Sequence, residues 1–309
     1  MTPAAPSWPP ASASSSAPML GVINLDKPVG PTSHDMVGLV RRLTGMRRIG
    51  HAGTLDPLAS GVLPILVGAA TRLSEELTGG RKRYDAVVRL GYRSETDDGQ
   101  GPIAVGTSPP AAEAAVSALD GMVGTFAQRP PAYSARKQEG VTAHRAARRG
   151  TVLDLPTREV TVHAIRVLDW ESGPDWLDLR LDIETGAGTY IRSIARDLGE
   201  ALGCGGYLHA LRRTAAAGLM VGDAWTPDRL ERLAEAGRMS EALIAVDTLL
   251  DLPDVRLDEA AARQFTTGGS APWPGEGRVM VHGPTGLLGI GTLAEGRLHP
   301  RKVLAEGAP

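Results

Sequence analysis

Apolar positions follow two periods along the chain. Met36, Val37, Val40 and Leu43 recur every three or four residues behind Ser33, which predicts an amphipathic helix with Ser33 as its N-cap. Residues 21–25 read as a short buried strand and 62–67 as an apolar one. The first is closed by the turn Lys27-Pro28-Val29-Gly30-Pro31. Residues 84–90 alternate apolar and polar, as a half-buried strand does. Residues 160–170 and 176–184 do the same on either side of Gly173-Pro174, predicting an antiparallel hairpin. Helices are predicted over 70–77, ending at Gly79-Gly80, over 111–119, and over 226–236, with a basic helix over 142–149 following a loop at 128–135. Thr189 is expected to cap another, whose stripe is Ile191, Ile194, Ala195 and Leu198; Arg192 lies off that stripe near the helix start. From about residue 251, strand-like runs at 278–281 and 287–291 sit between glycines and predict a small β domain. The mixed order of elements, with no internal repeat, predicts an α/β (α+β) architecture: a mixed, largely antiparallel sheet flanked by helices.

Composition narrows the class. The 309 residues suffice for one large domain and a small appendage, and no run approaches the roughly 20 apolar residues of a membrane-spanning helix. Residues 1–18, a Ser/Ala/Pro run without a basic start or apolar core, are expected to be a disordered extension rather than a signal peptide. Cys204, the single cysteine, excludes an intramolecular disulfide and a zinc site built on paired thiolates, and a cytoplasmic location is expected. Net charge is −2, but basic residues cluster at Arg41, Arg42, Arg47 and Arg48, at Arg81 to Arg83, and from Arg136 to Arg149. Such stripes either neutralise phosphates or form solvated helix faces.

In Gly50-His51-Ala52-Gly53-Thr54-Leu55-Asp56-Pro57-Leu58-Ala59-Ser60-Gly61-Val62-Leu63-Pro64 one carboxylate stands among small and apolar residues. Asp-Pro is one way a helix begins, with Asp as N-cap. Gly61 and Pro64 follow within two turns, however, so a shaped loop entering a strand is the alternative. An acid held away from water requires a cation and hydrogen bonds.

The stretch from Gly50 to Gly61 closely resembles the catalytic motif of the TruB family of tRNA pseudouridine synthases. The segment from Gly21 to Ser33 is similar to that family's opening strand and turn. Lys82-Arg83-Tyr84, Gly188-Thr189-Tyr190-Ile191-Arg192 and Leu211-Arg212-Arg213 follow in the family's order, so the likeness covers about residues 20–220. The resemblance implies a catalytic domain over 19–250, a PUA-like RNA-binding domain over 251–309, and isomerisation of the T-loop uridine of tRNA at position 55. It further implies Asp56 as nucleophile, Arg192 as its partner, and Tyr84 stacking on the target base. Asp98, with Asp97 as the alternative, matches a further acid of the network. His51 matches a histidine that fills the space of the flipped nucleotide, and Lys27 one that supports the active-site loop. Tyr190 and Leu211 are either pocket walls or ordinary core. No cofactor or metal is implied, the partner is the tRNA T-arm, and a monomer is expected. Rival classes are an RNA chaperone that folds tRNA, a guide-RNA-dependent relative acting on ribosomal RNA, and a glycosyl hydrolase. Gly289-Ile290-Gly291 and Gly186-Ala187-Gly188 begin like dinucleotide loops but lack the full glycine pattern.

Overall fold

The computed structural model of the protein describes residues 19–133, 137–138, 141–142 and 155–304. Ten strands form the main sheet: β1 Gly21–Lys27, β2 Ile49–His51, β3 Ala59–Val67, β4 Lys82–Leu90, β5 Gly124–Gln128, β6 Arg158–Ser172, β7 Leu177–Thr185, β8 Gly206–Ala216, β9 Leu219–Met220 and β10 Leu243–Ile244. Their order is β10-β1-β3-β8-β4-β7-β6-β5, with β2 on β3 and β9 on β8. Every pairing is antiparallel except β3 with β8, where Leu211 stands opposite Ala59. That parallel pair brings the Asp56 loop, which leads into β3, beside the Leu211-Arg212-Arg213 segment of β8.

Helices α1 Ser33–Thr44, α2 Ser74–Thr78, α3 Ala112–Ala118, α4 Ile191–Ala201 and α5 Pro227–Glu235 flank this sheet. The alternation read in β4 is real: Tyr84, Ala86, Val88 and Leu90 are buried, and with Leu179, Leu181, Ile183, Ile194 and Leu198 they form the core under α4. Ile23, Leu25, Val37, Val40, Leu63 and Ile65 form a second core under α1 and α5. A separate five-stranded sheet follows: β11 Asp254–Arg256, β12 Ala271–Pro272, β13 Gly277–Gly283, β14 Gly286–Ala294 and β15 Arg297–Val303, ordered β11-β13-β14-β15-β12. Helix α6 Glu259–Thr266, absent from the sequence reading, packs Phe265 on it.

Several element ends differ from expectation. The N-cap of α1 is Thr32, whose hydroxyl accepts from the Asp35 amide in a capping box, and Ser33 is the first helical residue. The N-cap of α4 is Tyr190, while the Thr189 hydroxyl donates to the Gly186 carbonyl at 3.3 Å. Residues 70–77 are not one helix but a 3₁₀ stretch, Gly68–Leu73, continued by α2. Thr142 ends a two-residue strand, Val141–Thr142, instead of starting a helix; residues 143–149 of that predicted helix and the extension 1–18 lie outside the described residues.

Candidate active site

Asp56 sits in a non-helical loop, so the helix-opening alternative does not hold. Two contacts set this loop. The Ser33 hydroxyl accepts from the Leu55 amide at 2.8 Å and donates to the Leu55 carbonyl at 2.9 Å, and the Gly30 amide donates to the Pro57 carbonyl at 2.8 Å. Gly61, at φ +101°, lets β3 run against β8, since a Cβ there would lie 2.2 Å from the Arg213 carbonyl oxygen. The order Asp-Pro-Leu-Ala-Ser-Gly is thus a turn, a strand start and a close approach in succession.

Arg192 joins Asp56 from the first turn of α4. Its Nη2 lies 2.9 Å from Asp56 Oδ2 and its Nη1 3.6 Å from Asp98 Oδ2. The same guanidinium donates to the carbonyls of Thr96 at 3.1 Å and Tyr133 at 3.0 Å. Arg192 is only 6% exposed. Asp98, 3% exposed, also accepts from the Thr96 hydroxyl at 2.6 Å and the Gln100 amide at 3.0 Å. The Asp56 side chain is 42% exposed, which leaves a reachable carboxylate on a buried cation. Asp97 points elsewhere, pairing with Arg196 at 2.8 Å.

Three further cations lie beneath the loop, each held by carbonyl oxygens. Lys27, fully buried, donates to the carbonyls of Pro28 and Pro31 at 2.8 Å each. Lys82 donates to Thr78 and Gly80 at 2.7 and 3.1 Å. Arg213, 1% exposed, donates to Val62 at 2.7 Å, Gly53 at 3.0 Å and Thr54 at 3.4 Å. Burial lowers both lysines to about 8; the Asp56 charge pulls Lys27 back up, and the Arg213 charge pushes both further down. Arg213 is itself lowered by burial, opposed by its contact with the Tyr84 phenol. Tyr84 is buried, and its phenol is raised by that burial against the pull of Arg213.

The remaining sequence candidates lie on neighbouring elements. Tyr190 is held through its backbone, its amide donating to Gln128 Oε1 at 2.9 Å and its carbonyl accepting from Gln128 Nε2 at 3.1 Å. Leu211 is half-buried and bridges the two cores of the main sheet. His51, on β2, is lowered chiefly by burial and then by the charges of Arg213 and His34, and its Nδ1 is buried without a partner. Its carbonyl accepts from the Ser74 hydroxyl at 3.2 Å. Asp56, Arg192 and Asp98 are therefore joined by ion pairs. Lys27 and Tyr84 reach Asp56 through its field, and among the described residues His51, Tyr190 and Leu211 make no hydrogen bond or ion pair to it.

Sequence reasoning missed Ser33, Gln128, Thr96 and the supporting part of Arg213. The last left one signal, since Leu211 and Arg213 must share a face of β8. Among the described residues no group of three or more His, Cys, Asp or Glu side chains converges as a metal site, and no helix is long and apolar enough to cross a membrane.

Residues 41–191 match the family described as TruB family pseudouridylate synthase, N-terminal domain, and residues 192–251 match the tRNA pseudouridylate synthase B C-terminal domain. The junction falls between Ile191 and Arg192, so the two halves of the ion pair come from different family regions. The chain is 43% identical over 290 residues to tRNA pseudouridine synthase B of Acaryochloris marina, covering 93% of this chain and 99% of that protein. It is 40% identical over 294 residues to tRNA pseudouridine synthase B of Xanthomonas campestris pv. campestris strain 8004, covering 93% and 94%. A solved H/ACA RNP bound to a substrate RNA containing 2′-deoxyuridine superposes with a TM-score of 0.68 at 25% identity, covering 94% of this chain and 87% of that one.

Proposed function

The chain belongs to the TruB family of pseudouridine synthases, RNA isomerases, and on that footing we propose that it converts the T-loop uridine of tRNA, position 55, to pseudouridine with Asp56 as nucleophile. The observation that carries this is the Arg192–Asp56 contact of 2.9 Å, in which a buried guanidinium holds a half-exposed carboxylate. The reaction breaks the N1–C1′ bond of uridine, turns the base, and joins C5 to C1′. The C5 proton leaves and N1 gains one, so atoms balance without a cofactor. The chemistry asks for a carboxylate on a fixed cation, a stacking surface and exclusion of water. Asp56 serves as the carboxylate, Arg192 with Asp98 fixes it, and Tyr84 offers the stacking surface. Tyr190 and Leu211 are the pocket walls, His51 fills the space the nucleotide vacates, and Lys27 supports the loop. Burial of the Tyr84 phenol, which raises it, favours stacking over a role as base.

In this assignment residues 19–250 are the catalytic domain and 251–309 a PUA-like RNA-binding domain of a cytoplasmic monomer. Identity of 43% to a protein named for tRNA, against 25% to one in an RNP, favours tRNA over a guided ribosomal RNA substrate. Incubation of unmodified tRNA transcript with the purified protein, followed by mass-spectrometric mapping, is expected to yield pseudouridine at that uridine without guide RNA. Asp56→Ala is expected to abolish the product while tRNA binding is largely kept, which separates an enzyme from a chaperone. Release of free uracil would instead identify a hydrolase.

A further inference from the structure

Arg158, on β6, has a buried Nε without a hydrogen-bond partner, and among the described residues no carboxylate or carbonyl closes on its guanidinium. Its surroundings are nonetheless built. Arg158 stands opposite Gln128 in the β5–β6 register, and Gln128 is the side chain that brackets the Tyr190 backbone. Beside it, Arg158 packs against Gly188 in the loop between β7 and α4. A Cβ on Gly188 would lie 2.3 Å from Nη2, 2.4 Å from Cζ and 2.5 Å from Nη1 of Arg158. Nη2, Cζ and Nη1 are the near atoms and Nε is not, so the missing side chain would lie over the outer edge of the guanidinium, between its two terminal nitrogens. One face of the group therefore lies over the glycine, and Gly188 sits at φ +83°, where a side chain would be strained and would also displace the guanidinium.

Guanidinium N–H groups point outward in that plane, so covering one face leaves the donating edge open. Among the described residues this half-buried guanidinium meets no acceptor, and its Nη1–Nη2 fork matches phosphate oxygens in geometry and charge. The loop it supports delivers Tyr190 and Arg192 to the site within four residues. The geometry points to Arg158 as a phosphate-binding side chain that takes a phosphodiester of the RNA strand entering the site, with Gly188 as the platform that sets its plane. This rests on the RNA-modifying function proposed above.

The test is binding of full-length protein to unmodified tRNA transcript over a range of salt. Arg158→Met is expected to weaken binding about tenfold and to make the log–log salt dependence shallower by roughly one phosphate contact. Arg158→Lys keeps the charge but loses the flat fork, and is expected to keep the slope with an affinity between the two. Thermal melts establish that each variant is folded; should Arg158→Met fail to fold, Arg158→Gln, which keeps a polar chain without charge, carries the same slope comparison. An unchanged slope and affinity in a folded, uncharged variant overturns the inference. A fall in rate at saturating RNA with binding untouched also overturns it, since Arg158 would then merely brace the 186–190 loop. Failure of the wild-type protein to modify the transcript would count against the proposed reaction, whereas normal wild-type turnover with a salt-insensitive Arg158→Met counts against this inference alone.

Discussion

Arg192 places four acceptors around one planar group: two carboxylates and the carbonyls of Thr96 and Tyr133. A lysine supplies the charge from a single nitrogen and cannot span them. Arg192→Lys is therefore expected to slow pseudouridine formation in single-turnover assays by about a hundredfold or more, in the range lost when a preorganised charge contact at a reacting group is removed. Arg192→Met leaves Asp98 buried without its counter-charge, and urea unfolding is expected to show a loss on the order of 3–5 kcal/mol. The two lysines give a prediction of opposite kind. Their folded values, about 8, lie below the unfolded value of 10.5, so between these limits the unfolded chain binds more protons and stability rises with pH. Above about 10 the raised Tyr84 phenol acts in reverse, because the unfolded chain then loses its proton first. Measured by urea unfolding from pH 7.5 to 10, the rise is expected in the wild type and should be flattened in a Lys27→Met, Lys82→Met double variant. Asp56 was legible because an acid among small apolar residues demands a partner. The clamp formed by Arg213 was not, because the carbonyls it binds belong to residues some 150–160 positions away.

At the scale of elements, α4 presents Arg192 and Arg196 one turn apart, and the loop after residue 94 answers with consecutive aspartates. Asp98 meets Arg192 and Asp97 meets Arg196, while Arg196 also binds Asp197 at 2.7 Å and the Arg129 carbonyl at 2.9 Å. To make that division the backbone turns left-handed at Asp97, φ +59°, a region Asp tolerates better than Ala does. Asp97→Ala is thus expected to be less stable than Asp97→Gly by about 1 kcal/mol, despite the usual advantage of alanine, because both lose the ion pair and only alanine is strained. Equal urea midpoints for the two variants would remove the role given to the backbone. The hairpin β6–β7 and the strand β4 were readable, since alternation is a local consequence of one buried face. Helix starts were less so: Thr32 and Ser33 are both good caps by residue type, and the choice depends on Leu55, which draws the Ser33 hydroxyl into the loop. At α4 the cap is replaced by Gln128 from β5, a partner 62 residues away.

Across the whole molecule, the second sheet is tied to the first by a shared core. Met280 of β13 and Ile290 of β14 are cross-strand partners, and with Leu304 they pack among Val22, Val62, Leu66, Ala69 and Ala70. The opposite face, Val279 and Val281, packs with Phe265 of α6. Around this core Lys302 pairs with Glu75 at 3.0 Å and Arg278 with Glu76 at 3.2 Å, and Arg72 donates to the Val303 carbonyl. Each ion pair keeps one partner, Glu75 or Arg278, in solvent and contributes little, on the order of 1 kcal/mol or less, so the apolar contact decides whether the units unfold together. Composition and glycine spacing could suggest a β-rich C-terminal region, but not which of its faces would be covered. Ile290 is fully buried, and Ile290→Ala is expected to cost about 2–5 kcal/mol. Because it lies at the junction, that loss is expected to lower one cooperative transition rather than release a separate early one. Differential scanning calorimetry decides between them: for a single unit the calorimetric and van't Hoff enthalpies agree in wild type and variant alike. Two resolved peaks in the wild type, with only the lower one moved by Ile290→Ala, would mean that the sheets fold independently. The contact of α2 with both Lys302 and, through Ser74, the carbonyl of His51 would then be an adjacency between units that unfold separately.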